Sequence, residues 1–122
     1  MAKMYFAEFT DLETGKQFQK FGHTGFNDAQ KRLDHITEEY PKFAARVLAA
    51  AYHHNIDKCR GAEEAFQCMY PKNFWLEEKI SGITECVVLN DGQRMNCIQA
   101  VRRLNDKFKK ECFGENSARS PA

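Results

Sequence analysis

Two aromatic stretches joined by a short polar link do most to constrain how this chain can fold. Met4 to Thr10 is rich in aromatics and has no helix cap before it, and Lys16 to Gly22 alternates through Gln17, Phe18, Gln19, Lys20 and Phe21. A strand turns successive side chains to opposite faces, so both stretches predict strands. Between them, DLETG supplies the Asp and Gly that tight turns use. An antiparallel hairpin is therefore expected at the N-terminus.

After Gly22 the segment HTGFND reads as a loop, and Asn27 with Gln30 three residues later resembles a helix capping box. The helix that follows should bury Ala29, Leu33, Ile36 and Tyr40, which share one face, and stop at Pro41. Arg32 and His35 then lie on the flank of that face, near the hairpin and within reach of solvent. FAARVLAAAYHHN is open to two readings: its alanines favour helix, while its length and its Val, Leu and Tyr suit a buried central strand. A second helix is expected from a cap at Asp57, with Ala62, Phe66 and Tyr70 on one face and Pro71 as its stop. Glu63 and Glu64 lie side by side on it. ITECVVLN predicts a short strand and NDG a turn. Met95, Ile98, Val101, Leu104 and Phe108 mark an amphipathic last helix running to about Cys112.

With 122 residues, 43% of them hydrophobic and ten of them Phe, the chain can build one aromatic core but is short for two. One domain is expected over residues 1–113, followed by a polar, small-residue tail at 114–122 that is expected to be disordered. The formal net charge of +1 gives no overall pull toward nucleic acid, so any such surface must come from local clusters of Lys and Arg. Cys59, Cys68, Cys86, Cys97 and Cys112 are odd in number with no C-x-x-C pair, and MAKMYFAEF lacks the apolar run of a secretory signal. Both features read as a reduced, cytoplasmic protein. The longest low-charge run, VLAAAY, is closed by His53 and His54, far short of the roughly 20 apolar residues a membrane helix needs.

The stretch KFGHTGFNDAQKRLDHI resembles the second signature of the GIY-YIG nucleases, in the phage-type branch where it reads K-[IF]-G-x-T followed by an arginine. Tyr5 in MYFAEF then takes the place of the first signature's tyrosine, GAEEAF that of the helix with the metal-binding glutamate, and SGITECVVL that of the G-x-T-E segment. The resemblance covers residues 4 to about 90. It implies an α+β fold, a small three-stranded antiparallel sheet flanked by helices, to which this chain adds a C-terminal amphipathic helix. It also implies that the alanine-rich segment is a strand.

The activity implied is endonucleolytic hydrolysis of DNA phosphodiester bonds with Mg²⁺ or Mn²⁺, in a phage or mobile-element setting. Attack on a phosphate needs positive charge where more negative charge will gather, and a guanidinium stays charged and forks onto two oxygens; Arg32 is assigned that role. Glu63, with Glu64 as the alternative, would hold the metal through one carboxylate, as Mg²⁺ prefers. Tyr5 would act as general base or orient the attacking water. A free phenol has a pKa near 10, so a neighbouring cation, Lys20, is expected to depress it. Gly22, Thr24 and His35 are expected to lie against the substrate.

Other readings compete. The first signature here reads M-Y-F and the charge is nearly neutral, which favours a module that kept the fold, lost the reaction and binds nucleic acid or a protein. Arg32 at i+4 from Asp28 could be an ordinary helix ion pair. His53, His54, Cys59 and Cys68 carry zinc-ligating atoms, but their spacing fits no compact finger. Arg102, Arg103, Lys107, Lys109 and Lys110 read as a wet helix face or as a phosphate-backbone contact.

Overall fold

The computed structural model describes residues 1–25, 28–75 and 85–114. The hairpin forms as expected, from β1 (Ala2–Asp11) and β2 (Gln17–Thr24). Asp11 ends β1 and organises the turn: its Oδ1 accepts from the N–H groups of Glu13 and Thr14. Gly15 takes φ 74°, which a residue without Cβ adopts at no steric penalty.

The alanine-rich segment is a strand, β3 (Phe43–His53), antiparallel to β1, so the sheet order is β2-β1-β3. Alanine's helix propensity is overridden here because pairing with β1 satisfies the backbone along the segment. The pairing shifts register once: Phe6 faces Ala49 and Ala7 faces Val47, so Leu48 is bulged. Side chains from two helices cap the outer edge of β3. The Gln30 amide donates to Ala45 O at 3.0 Å and accepts from Val47 N at 2.9 Å, and Asn105 Oδ1 accepts from Tyr52 N at 3.1 Å. An edge strand closed in this way offers little template for another chain.

Helices cover both faces. α1 (Ala29–Glu39) buries Ala29, Leu33 and Ile36 with Tyr5, Phe9, Phe18 and Phe43. Its N-cap is Asp28, whose side chain accepts from Gln30 N; Asn27, the cap expected from sequence, lies outside the described residues. α2 (Ile56–Met69) and α3 (Asp91–Phe113) lie on the opposite face, over Met4, Phe6, Phe21, Ala49 and Ala51. The rings of Phe6, Phe21 and Phe66 form a continuous stack, with centroids 5.0 and 5.2 Å apart. Each such buried side chain is worth about 1.5–3 kcal/mol relative to exposure. The whole is an α+β domain with a three-stranded antiparallel sheet and a long C-terminal helix.

Three local expectations shift. Asn55, not Asp57, caps α2, accepting from Asp57 N. Asn90 of the expected NDG turn instead caps α3, in a reciprocal capping box with Gln93. Met95 is exposed, and the buried face of α3 runs through Cys97, Val101 and Phe108, with Ile98 and Leu104 partly buried. Of the strand expected in ITECVVLN, Ile83 and Thr84 lie outside the described residues; after them β5 (Glu85–Cys86) pairs with β4 (Phe74–Trp75), and Val87 bridges to Gln19 on β2. The expected tail lies outside the described residues from 115 onward. All five cysteines are free, and among the described residues no helix is long and apolar enough to cross a membrane.

Candidate active site

β2 is an edge strand, and the candidate site forms along it where the layers from both sheet faces meet. Register sets the first part. Tyr5 on β1 stands directly opposite Gly22 on β2, and a Cβ at Gly22 would lie 2.4 Å from Tyr5 Cζ and 2.5 Å from its hydroxyl. The phenol therefore crosses the strand through the space that glycine leaves open, toward the sheet edge. Lys20 lies two residues earlier, on the same side of β2. Its Nζ sits 5.6 Å from the centre of the Tyr5 ring and donates to Phe21 O at 3.4 Å.

The helices bring the remaining groups. Arg32 lies on the flank of α1 beside the buried Leu33, partly exposed, and its charge acts on both Tyr5 and Lys20. Asp28, the expected ion-pair partner for Arg32, uses its carboxylate as the α1 cap. On the other face, α2 lays Phe66 against Phe21. One helical turn before Phe66 and two strand residues after Phe21, Glu63 meets His23, so helix and strand periodicities coincide there. His23 Nδ1 is 2.5 Å from Glu63 Oε2, and Gln67 Nε2, one turn along α2, donates to Oε1 at 3.4 Å. Glu63 acts electrostatically on Tyr5 and on Lys20 as well. Tyr5, Lys20 and Gly22 thus lie together along the β1–β2 pair, while Arg32 from α1 and Glu63 from α2 act on Tyr5 and Lys20 electrostatically.

Burial sets the protonation of this group. The Tyr5 hydroxyl is pushed up to about 12, first by desolvation; Arg32 opposes the rise and Glu63 adds to it. The expectation that a neighbouring cation would depress it fails, because taking a phenolate out of water outweighs the guanidinium's attraction. Lys20 is held below its usual value, again first by desolvation, with Glu63 pulling the other way. At neutral pH Tyr5 is therefore a phenol, a hydrogen-bond donor.

The other residues singled out from sequence lie along the same elements and along β3 and α3. Glu64 is exposed on α2 beside Glu63. Thr24 is buried at the end of β2 opposite Lys3, and His35 is exposed on α1 one turn beyond Arg32. The basic residues Arg102, Arg103, Lys107, Lys109 and Lys110 are exposed on α3, which packs mainly on β3, the sheet edge remote from β2. His53 is held instead by its own neighbourhood: Nδ1 accepts from Asn55 N, and the ring packs edge-on against Phe108. Sequence reading passed over His23 and Gln67. The signals were present, in the variable position of K-F-G-x-T and in the i+4 spacing from Glu63.

Among the described residues no cluster of three or more His, Cys, Asp or Glu forms a ready-made metal cage. A single carboxylate at the lip, with the Glu63 side chain 15% exposed, fits the other mode of binding. In that mode Mg²⁺ takes one carboxylate and fills its shell with water and substrate oxygens. No family model, curated protein or solved structure matches the chain.

Proposed function

We propose that the chain is a metal-dependent endonuclease that hydrolyses DNA phosphodiester bonds, acting in a reducing compartment such as the cytoplasm, as its five free cysteines favour. The observation that carries this reading is that a guanidinium from α1 and a partly buried carboxylate from α2 both act electrostatically on the phenol that β1 lays across the edge strand β2. The same residues carry the GIY-YIG resemblance.

Each group has a task suited to its state. Arg32 forks onto the non-bridging phosphate oxygens and offsets the charge that grows on them during attack. Glu63 would hold the divalent ion, which supplies Lewis-acid stabilisation of the scissile phosphate and leaving oxygen. Tyr5, a phenol at working pH, donates or accepts at the attacking water to orient it in line; it does not rest as a phenolate base. Lys20 stands 5.6 Å from the centre of the ring and places an amine beside the water–phenol pair. Gly22 keeps the passage for the phenol open.

Nicking of supercoiled plasmid in Mg²⁺ or Mn²⁺ tests the reading. Arg32→Ala should lower the rate about 10²–10³-fold, the loss typical of a preorganised donor. Glu63→Gln should remove divalent-dependent nicking, with both variants still folded by circular dichroism. The burial of Tyr5, 2% exposed, favours a second reading in which the fold binds nucleic acid or a protein without cutting. Salt-sensitive DNA binding with no nicking in either metal would select that reading.

A further inference from the structure

We propose that His23 is the positioning residue for Glu63, clamping its carboxylate together with Gln67 so that one lone pair on each oxygen points to a divalent ion; this rests on the nuclease reading above. A carboxylate only accepts hydrogen bonds, so at 2.5 Å from Oε2 it is the His23 ring that donates, from Nδ1. Gln67 donates to the other oxygen, Oε1. Two donors on two oxygens fix both the position and the plane of the group. A carboxylate has about four lone-pair sites. Among the described residues protein takes one on each oxygen, which leaves one on each for a metal.

Location supports a role at the lip. The His23 and Glu63 side chains are 31% and 15% exposed, so the pair is partly buried and still in contact with solvent. His23 reaches this place because it follows Gly22, which keeps the Tyr5 phenol on the opposite face of the same strand. The adjacent residues Gly22 and His23 of β2 therefore serve the phenol on one side and the carboxylate on the other. Groups that orient a metal-binding carboxylate typically change metal affinity 10–100-fold when removed.

Mn²⁺ binding to the full chain, followed by electron paramagnetic resonance of the free ion, reads this directly without DNA or turnover. His23→Ala should weaken Mn²⁺ binding about 10–100-fold. His23→Asn sets an amide N–H where Nδ1–H stands and should restore binding to within a few-fold of the parent. His23→Gln sets its N–H near the Nε2 position and should not. Equal Mn²⁺ affinity in His23→Ala and parent overturns the proposal. So does an Asn variant no better than Ala, which would mean the imidazole itself is required, or a Gln variant as good as Asn. If His23→Ala does not fold, the Asn and Gln variants alone decide. Loss of binding in Glu63→Gln with no effect at His23 removes this inference and leaves the nuclease reading standing. Absence of saturable Mn²⁺ binding in the parent, or unchanged binding in Glu63→Gln, removes both.

Discussion

Two carboxylates, Glu8 and Glu63, are withdrawn from water on this small sheet, and they are held in different ways. Glu8, 4% exposed, accepts on Oε1 from Gln17 and Arg46 and on Oε2 from Gln19 and Arg94. Those donors come from β2, β3 and α3, and all four lone-pair sites are engaged. Glu63 has two donors among the described residues, His23 and Gln67, and acts electrostatically on a phenol and an amine. A saturated carboxylate has nothing left to offer a ligand and ties elements together. A half-saturated one among titratable groups has capacity left for chemistry.

Gln19 strengthens the structural side of that contrast. Its backbone exchanges hydrogen bonds with Val87, at 2.7 and 3.0 Å, and its amide oxygen accepts from Leu89 N at 2.8 Å. The Glu8 cluster therefore anchors the segment leading into α3, and Arg94 ties the first turns of that helix to the sheet.

Truncating the saturated group should have the largest effect on folding. Glu8→Ala leaves the buried Gln19 amide and the partly buried Arg94 uncompensated, and should lower stability by about 3–5 kcal/mol in urea unfolding. Glu63→Gln should change it by less than about 1 kcal/mol. Similar urea midpoints for the two variants would break the comparison.

A middle-sized effect is expected at Gly22, which belongs to the second region alone. The Cβ of Gly22→Ala cannot coexist with the Tyr5 ring where it lies. The variant should lose about 1–3 kcal/mol and nicking activity together. In a Tyr5→Ala background the same substitution should be nearly free, a coupling that a double-mutant cycle measures. Additive losses would show that the ring does not use this gap.

The smallest effect is a matter of pH. Folding keeps the proton on Tyr5 up to about 12, whereas an unfolded tyrosine releases it near 10. Between those values the native state binds more protons than the unfolded chain, so the stability Tyr5 contributes is complete below pH 10 and is lost as pH rises toward 12. At pH 11 the parent should have lost about 1 kcal/mol from this source. Tyr5→Phe should lack that part of the alkaline decline. Identical pH dependence of the urea midpoint in the two proteins would show that Tyr5 ionises normally.

Much of this architecture is legible in local chemistry. The aromatic alternation and DLETG specify the hairpin, and the spacing of Ala29, Leu33 and Ile36 specifies the buried face of α1, because period and turn geometry act within a few residues. Caps are legible to within one or two positions: Asp28 stands in for the expected Asn27 and Asn55 for Asp57, since neighbouring Asn and Asp offer the same acceptor oxygen. The members of the candidate site, Tyr5, Lys20, Gly22, Arg32 and Glu63, were identifiable as residue types in a familiar order.

What the tertiary structure alone decided follows from forces that act between distant segments. Residues 43–53 are a strand because β1 is there to pair with them, against their alanine content. Met95 faces solvent and Cys97 the core because the sheet selects which edge of the α3 stripe to cover. Tyr5 is a phenol and not a poised base because desolvation depends on how completely three layers close over it, a quantity no local pattern encodes. His23 meets Glu63 across forty positions of chain because strand and helix periods coincide only once Phe66 has stacked on Phe21.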